Sequence, residues 1–319
     1  MVGTVTVFGG SGFIGSQVVQ ALARQGWRVR VACRKPSRAY RLRTAGVVGQ
    51  VQPFGADVTD AASVARALEG ADACVNLVAI LYETASRRFQ QMHVEGARRV
   101  AEACAAAGVR DLVHVSALGA DPSSTSEYAR TKGEAEQLVL KAVPTARILR
   151  PSVVFGPEDN FFNRFAGLAG LAPVLPLFGG GKSKFQPVYV GDVADAVARC
   201  LADPTTSGQT FELAGPEVMT FKDILETVCR ETGKRRLLAP VPWAMAGLMG
   251  VAGNVMAFLG IPPMLTSDQV LLLQTDNVAS GSKPGLEALG ITPTAVGTIV
   301  PTYLWRYRKG GQFAQEAAA

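Results

Sequence analysis

Short apolar and β-branched runs alternate with longer stretches of helical rhythm along the first half of the chain. The first run, Thr4-Val5-Thr6-Val7-Phe8, leads into Gly9-Gly10-Ser11-Gly12, and a helical pattern follows over residues 14–25 with Gly26 as its stop. Similar runs recur at 28–33, 51–54, 73–79 and 111–116. Asp60 is placed to cap the helix after the third run, which Gly70 ends. A long helix is predicted over 87–107, stopping at Gly108. Five strand–helix repeats in one direction imply an α/β fold, a doubly wound parallel sheet with helices on both faces. Ligands then lie across the carboxyl ends of the strands.

The pattern changes in the last third. Residues 237–267 carry no charge, and Trp243 to Gly260 lie within them between Pro242 and Pro262-Pro263. That length is near the ~17–25 residues of a spanning helix. Asn254 in mid-segment, the crowding prolines and the lack of a close basic cluster on the C-terminal side argue against spanning. Met245, Leu248, Met249, Ala252, Met256 and Leu259 recur at helical spacing, and the other side is small: Ala244, Gly247, Gly250, Gly253 and Ala257. Two readings stand: a helix buried in a C-terminal lobe, or a face docked on a membrane surface or hydrophobic partner. Thr266 reads as the cap of a further helix with Asp268 in its first turn. The tail, Tyr303-Leu304-Trp305-Arg306-Tyr307-Arg308-Lys309, mixes aromatics and cations, which suits lipid headgroups or a partner, or equally a solvated terminal helix. The closing alanines, 317–319, read as disordered.

Chemistry enters at the first turn. Gly9, Gly12 and Gly15 sit between a strand and a helix, the context that makes a glycine pattern informative. A turn this tight needs positive φ, which glycine adopts without steric cost. A diphosphate must approach the backbone closely, and the helix opening there aims free N–H groups and its positive dipole end at the phosphates. Gly9, Ser11, Gly12, Phe13, Ile14 and Gly15 are therefore the candidate phosphate contacts.

NAD-selective folds place an acid near the end of the second strand to bond the ribose 2′-hydroxyl. Here the chain reads Cys33-Arg34-Lys35-Pro36-Ser37-Arg38, with no acid. Arg34, Lys35 and Arg38 can hold a 2′-phosphate by charge-assisted bonds, so the expected cofactor is NADPH (NADP). Asp57 and Val58 should lie against the adenine, and Val78, Ala79 and Ile80 against the ribose-diphosphate. His114 alternates within an apolar strand and reads as a packed, hydrogen-bonded histidine.

Composition narrows the alternatives. Of 319 residues, 48% are apolar and 18% charged, enough to bury a sizeable core. The net charge of +6 comes from scattered basic residues, which argues against nucleic acid. The five cysteines form no CxxC pair and the histidines number two, so no metal site and no disulfide framework are expected. No signal or transit peptide precedes the first strand, which suits a bacterial cytoplasmic protein or an already processed organellar one.

Ser116 ends the fifth strand, and Tyr128-Ala129-Arg130-Thr131-Lys132 follows in a helical stretch. Tyr128 and Lys132, at i and i+4, share one helix face. A free tyrosine titrates at about 10, and an adjacent ammonium is expected to lower that value. Ser116, Tyr128 and Lys132 are the groups that would relay a proton while a nicotinamide exchanges a hydride.

With these residues in place the chain resembles the atypical, extended short-chain dehydrogenase/reductases. Residues 149–157 resemble that family's loop after strand six, and residues 185–194 its later strand-to-helix junction. The resemblance implies a Rossmann domain over 1–155 and a smaller, mainly helical C-terminal lobe over 156–319, interleaved with the sheet. It adds Pro151 and Val153 to the cofactor contacts. Residues 114–121, 126–132 and 265–270 further resemble the nucleotide-binding accessory subunits of respiratory complex I and their bacterial relatives.

That narrower resemblance implies tightly held NADPH, no independent catalysis and a structural role. The implied partners are other subunits of the peripheral arm and its junction with the membrane arm, with lipid contact through 237–267 and 303–309. The implied location is the cytoplasmic face of a bacterial inner membrane, equivalent to the mitochondrial matrix side. The alternative is an active NADPH-dependent reductase or epimerase-like enzyme acting on a quinone, an isoprenoid or another small molecule.

Overall fold

Strand, turn and helix follow one another from the amino terminus as the apolar pattern requires. A computed structural model describes residues 2–313; the three closing alanines lie outside them. The first half contains β1 (Thr4–Phe8), α1 (Phe13–Arg24), β2 (Arg28–Cys33), β3 (Val51–Gly55), α2 (Ala61–Leu68), β4 (Ala73–Asn76), α3 (Gly96–Ala106), β5 (Asp111–Val115), α4 (Glu127–Ala142) and β6 (Arg147–Pro151). The second half adds β7 (Val154–Phe155), α5 (Phe162–Leu171), β8 (Val174–Phe178), β9 (Lys184–Phe185), β10 (Val188–Tyr189), α6 (Val190–Ala202), β11 (Thr210–Leu213), β12 (Met219–Thr220), α7 (Phe221–Glu231), β13 (Leu237–Val241), α8 (Trp243–Phe258) and α9 (Ser267–Leu273).

Seven strands form one sheet in the order β11-β6-β5-β4-β1-β2-β3. Every pairing in it is parallel, from Val5 opposite Val29 to Leu213 opposite Pro151. Parallel strands buried on both faces need apolar side chains on both, and two cores result. One packs Val18, Val19 and Leu22 of α1 with Val193 and Val197 of α6 against Val5, Val7 and Val29. The other packs Val64, Val100 and Val139, from α2, α3 and α4, against Phe8, Cys74 and Ile148. This is the doubly wound Rossmann-type architecture. The strand order reverses between β1 and β4, which opens a crevice at their carboxyl ends.

The second half is interleaved with this sheet. Its β11 joins β6 at the sheet edge and its α6 covers the α1 face. The remaining elements enclose a third core built on Phe155, Phe162, Phe221, Ile224 and Leu304.

Two predicted elements differ. β4 stops at Asn76 because the Asn76 side chain accepts the Val78 N–H at 3.1 Å and turns the backbone out of the ladder. The long helix begins at Phe89, and its first turns are a π-helical stretch over Gln90–Glu95. That wider turn carries His93.

α8 settles neither of its two readings as first framed. Its buried face is the small one: Ala246, Gly250, Gly253 and Ala257. A Cβ on Gly250 would stand 2.9 Å from Ser267 Cα, and one on Gly253 would collide with Leu265 O. The helix therefore lies against the 265–267 backbone through its glycines and turns its bulk outward, with Leu248 73% and Phe258 60% exposed. Burial in the lobe is thus corrected to burial of one narrow face. Asn254 bridges to α9, donating to Ser267 Oγ at 3.0 Å and accepting the Ser267 N–H at 3.2 Å. Among the described residues no helix is long and apolar enough to cross a membrane.

The tail is engaged within the molecule. Tyr303 and Leu304 are buried in the third core, and the Tyr303 hydroxyl donates to Asp159 at 2.6 Å. Arg306 donates to Pro157 O, and Arg308 to Glu231 O at 2.6 Å. Arg306 and Lys309 remain exposed, with Trp305 and Tyr307 half-buried beside them.

Candidate functional site

The glycine turn has the geometry its sequence demands. Gly9 takes φ +79°, where a side chain would be strained, and its Cβ would press on the Leu77 and Val78 backbone at 3.2–3.3 Å. Gly15 has no room at all, since a Cβ would overlap Gly9 O. Gly12 is the N-cap of α1 and offers no side-chain oxygen to the helix. The first N–H groups of α1, on Phe13 and Ile14, consequently lack intrahelical acceptors and face the crevice mouth. Ser11, Phe13 and Ile14 are half-buried along it, and Gly12 is exposed. This is a cradle that a Cβ would fill, and it fits a pyrophosphate.

Arg34, Lys35 and Arg38 are exposed at the carboxyl end of β2, next to that turn. Among the described residues none of the three forms an ion pair with a carboxylate. Burial pushes the nearby Cys33 thiol up, so it remains protonated there. Asp57 has one carboxylate oxygen engaged by Thr59, through N–H at 2.9 Å and Oγ1 at 2.8 Å. Val58 is buried against Gly96 of α3. Val78 and Ile80 are half-buried and Ala79 is exposed in the loop after β4. Pro151 ends β6 and is buried, and Val153 follows it, half-buried, its N–H held by Asn277 Oδ1 at 3.2 Å.

Ser116, Tyr128 and Lys132 gather on the other side of the crevice. Ser116 follows β5 directly; its Oγ is buried and has no partner among the described residues. An unpaired buried hydroxyl is costly and marks a place for a polar ligand group. Lys132 is 1% exposed, and its ammonium donates to Val115 O at 2.8 Å, one residue before Ser116. Burial lowers its pKa to about 8, with Glu136 opposing the shift. Tyr128 stacks edge-on against Phe89 at 5.9 Å and His93 at 5.4 Å.

The phenol corrects one expectation. Its pKa is pushed up to about 12, first by burial and then by the charge of Asp268. The ammonium of Lys132 donates to the Val115 carbonyl, and the causes of the phenol's shift are burial and Asp268. In the chain without nucleotide the phenol therefore stays protonated at neutral pH.

Two groups here were not singled out as site residues in the sequence. His93 is buried between the crevice walls, with Nε2 3.0 Å from Ile80 N and Nδ1 3.0 Å from Thr131 Oγ1. Burial, then the Lys132 charge, lower its pKa to about 3, so the ring is neutral. Asp268 caps α4 from the far end of the chain, accepting from Ser126 Oγ at 3.0 Å, Glu127 N at 2.6 Å and Tyr128 N at 3.2 Å. A signal for His93 existed, since it was one of two histidines in the chain. His114 behaves as expected: it is buried with Nδ1 3.2 Å from Asn76 Nδ2, and burial holds it neutral. Among the described residues no cluster of three potential metal ligands exists.

A model of the NAD dependent epimerase/dehydratase family matches residues 5–214, which takes in the glycine turn, the serine and the Tyr128–Lys132 helix. The chain belongs to that family. Within it, the chain is 36% identical to the mitochondrial NADH dehydrogenase [ubiquinone] 1 alpha subcomplex subunit 9 of Arabidopsis thaliana, over 96% of this chain and 78% of that one. It is 33% identical to the 40 kDa subunit of NADH-ubiquinone oxidoreductase of Neurospora crassa, over 97% and 81%. This family member therefore groups with complex I subunits along nearly its whole length. Its fold also matches an NADPH-dependent quinone oxidoreductase of Escherichia coli solved with NADPH, with a TM-score of 0.74 at 22% identity, over 94% of this chain and 99% of that one.

Proposed function

We propose that this chain is an NADPH-holding accessory subunit of NADH:quinone oxidoreductase, one that keeps its nucleotide as part of the structure instead of turning it over. The observation that carries this reading is the similarity to complex I subunits across both the nucleotide domain and the C-terminal lobe. The site agrees with it. The glycine cradle fits a pyrophosphate, and Arg34, Lys35 and Arg38, which form no ion pair among the described residues, fit a 2′-phosphate, so NADPH is preferred to NADH. Ser116 Oγ and the Lys132 ammonium would hold the nicotinamide-ribose end. When bound, the nucleotide would supply hydride chemistry; burial and the Asp268 charge raise the pKa of the Tyr128 phenol, and the Lys132 ammonium donates to Val115 O. The likeness to complex I subunits over nearly the whole chain, rather than the site itself, disfavours the alternative of an active reductase.

A bound nucleotide stabilises the folded chain by mass action, so slow-leaving NADPH acts as a folding staple. The outward bulk of α8 supplies an apolar face for a neighbouring subunit or lipid where the peripheral arm meets the membrane arm. On the same reading the chain sits peripherally, on the cytoplasmic face in a bacterium. The exposed Arg306 and Lys309 of the tail add cations to that contact.

Purification of the native respiratory complex from membranes tests the reading. The chain should copurify with the complex and release NADPH on denaturation. Recovery as a free chain with no nucleotide would overturn it.

A further inference from the structure

The N-terminus of α4 is closed by a residue 140 positions away. The helix has its own local cap, Ser126, whose Oγ accepts the Ala129 N–H at 3.3 Å. That leaves the N–H groups of Glu127 and Tyr128 and the Ser126 hydroxyl proton to satisfy. All three go to the Asp268 carboxylate. Asp268 is itself fixed, in the first turn of α9, by a capping box in which Thr266 and Gln269 satisfy each other's backbone N–H groups.

The same short segment holds the opposite wall of the crevice. Gln269 Nε2 donates to Leu81 O at 3.3 Å, immediately after Val78–Ile80. Its neighbour Ser267 is paired to Asn254 of α8, and the Leu265–Ser267 backbone fills the groove over Gly250 and Gly253. Residues 265–269 thus touch three things at once: the helix of Tyr128 and Lys132, the loop facing it, and the buried face of the outward-facing apolar helix. Beside them lies a cleft of about 460 Å³ bordered by Arg88, Phe89, Glu127, Phe258 and Asp268. α8 and Asp268 are joined through this segment: the 265–267 backbone lies directly on Gly250 and Gly253, and Ser267, next to Asp268, is paired to Asn254.

We propose that Asp268 is a positioning residue of the dinucleotide site, through which the placement of α8 and the retention of NADPH become one linked equilibrium. The proposal rests on the dinucleotide reading above. With Asp268 seated, α4 is held at the depth that puts Lys132 under Val115 and Tyr128 against His93. With it withdrawn, the first turn of α4 loses three acceptor contacts, and the ribose end of the site loses its fixed wall. Linkage is reciprocal. A partner that clamps α8 tightens nucleotide binding, and bound nucleotide tightens the partner's hold on α8 by the same factor.

The test uses the full chain and NADPH. Asp268→Asn keeps the shape of the side chain but removes its charge and one of its acceptors. It should weaken NADPH binding about tenfold, as expected for loss of a cap acting on the site. Asp223→Asn, which damages the capping box of α7 away from the crevice, serves as the control. It should lower the melting temperature yet leave NADPH affinity unchanged. In the wild-type chain, NADPH should slow hydrogen exchange at 127–131 and 265–272 together. Equal affinity in Asp268→Asn and wild type overturns the proposal, as does protection confined to the glycine turn; the exchange result stands even if the variant fails to fold. A wild-type chain that bound no NADPH would instead overturn the dinucleotide reading.

Discussion

His93 Nε2 stands 3.0 Å from the Ile80 amide nitrogen, across the crevice from the helix that carries Tyr128. Its other ring nitrogen meets Thr131 Oγ1, and that hydroxyl is already close to the Glu127 and Tyr128 carbonyls. Thr131 therefore donates its proton to the helix and accepts from Nδ1–H, which leaves Nε2 to accept the Ile80 N–H. One neutral tautomer satisfies every group; a second proton on the ring would lose the Ile80 N–H and turn Nε2 to the Ile80 carbonyl, 3.1 Å away, at the cost of burying a charge beside Lys132.

Acid should accordingly loosen the site. The folded-state pKa of His93 is about 3, against an ordinary value of 6.5. Between those values the unfolded chain binds the proton and the folded chain does not. Stability is full above pH 6.5 and falls on acidification down to about pH 3, by up to about 1.4 kcal/mol per pH unit. His114, held neutral by burial, adds a loss of the same sign. Urea melts at stepped pH check this: His93→Gln, which has no such titration, should show a shallower acid slope than wild type. An unchanged slope would remove His93 from the account.

Nucleotide preference should reside in the loop after β2. Replacing Arg34 and Arg38 together by Ser removes two charge-assisted partners of a 2′-phosphate. NADPH affinity should fall roughly 10- to 100-fold while that for NADH barely changes. Calorimetric titration of both nucleotides decides the matter, and an equal loss for both would mean that the cations serve a general phosphate attraction.

Such local chemistry was legible because it sits within a few residues of a regular element. The strand runs, the Gly9–Gly15 turn, the Tyr128–Lys132 spacing and the caps Asp60 and Thr266 follow from period and local hydrogen bonding. What escaped depends on distance along the chain. Nothing near Ser126 announces that Asp268 will cap its helix. The fate of the Lys132 ammonium is set by the Val115 carbonyl, which spacing alone does not place. The inward face of α8 was half legible: the small residues were visible as a stripe, but only the 265–267 backbone lying on Gly250 and Gly253 shows that the stripe, and not the bulky side, is buried.

Lys132 should give nucleotide binding a pH dependence of its own. Its pKa of about 8 in the folded chain leaves the ammonium charged at neutral pH and neutral above. Contact with ribose oxygens favours the charged form, so binding takes up a proton once the pH exceeds about 8. NADPH affinity should be level from pH 7 to 8 and decline from 8 to 9.5. Lys132→Met should bind more weakly at pH 7 and show no decline. A wild-type affinity constant across that range would count against any ribose contact by Lys132.

Two glycines in α8 should respond oppositely to the same substitution. At Gly247 nothing lies within 4 Å of an added Cβ, and the position is inside a helix. Alanine there restricts the unfolded chain and favours helix, so Gly247→Ala should stabilise the protein by up to about 1 kcal/mol. At Gly253 the added carbon meets the Leu265 carbonyl oxygen, a backbone atom that cannot rotate away. Gly253→Ala should cost about 1–3 kcal/mol, as overpacking does. It should also lift α8 from Leu265–Ser267, the segment that leads into Asp268. Thermal melts with and without NADPH separate the two effects: the nucleotide-induced rise in melting temperature should be normal in Gly247→Ala and reduced in Gly253→Ala. A normal rise in both would show that α8 can move without the nucleotide site feeling it.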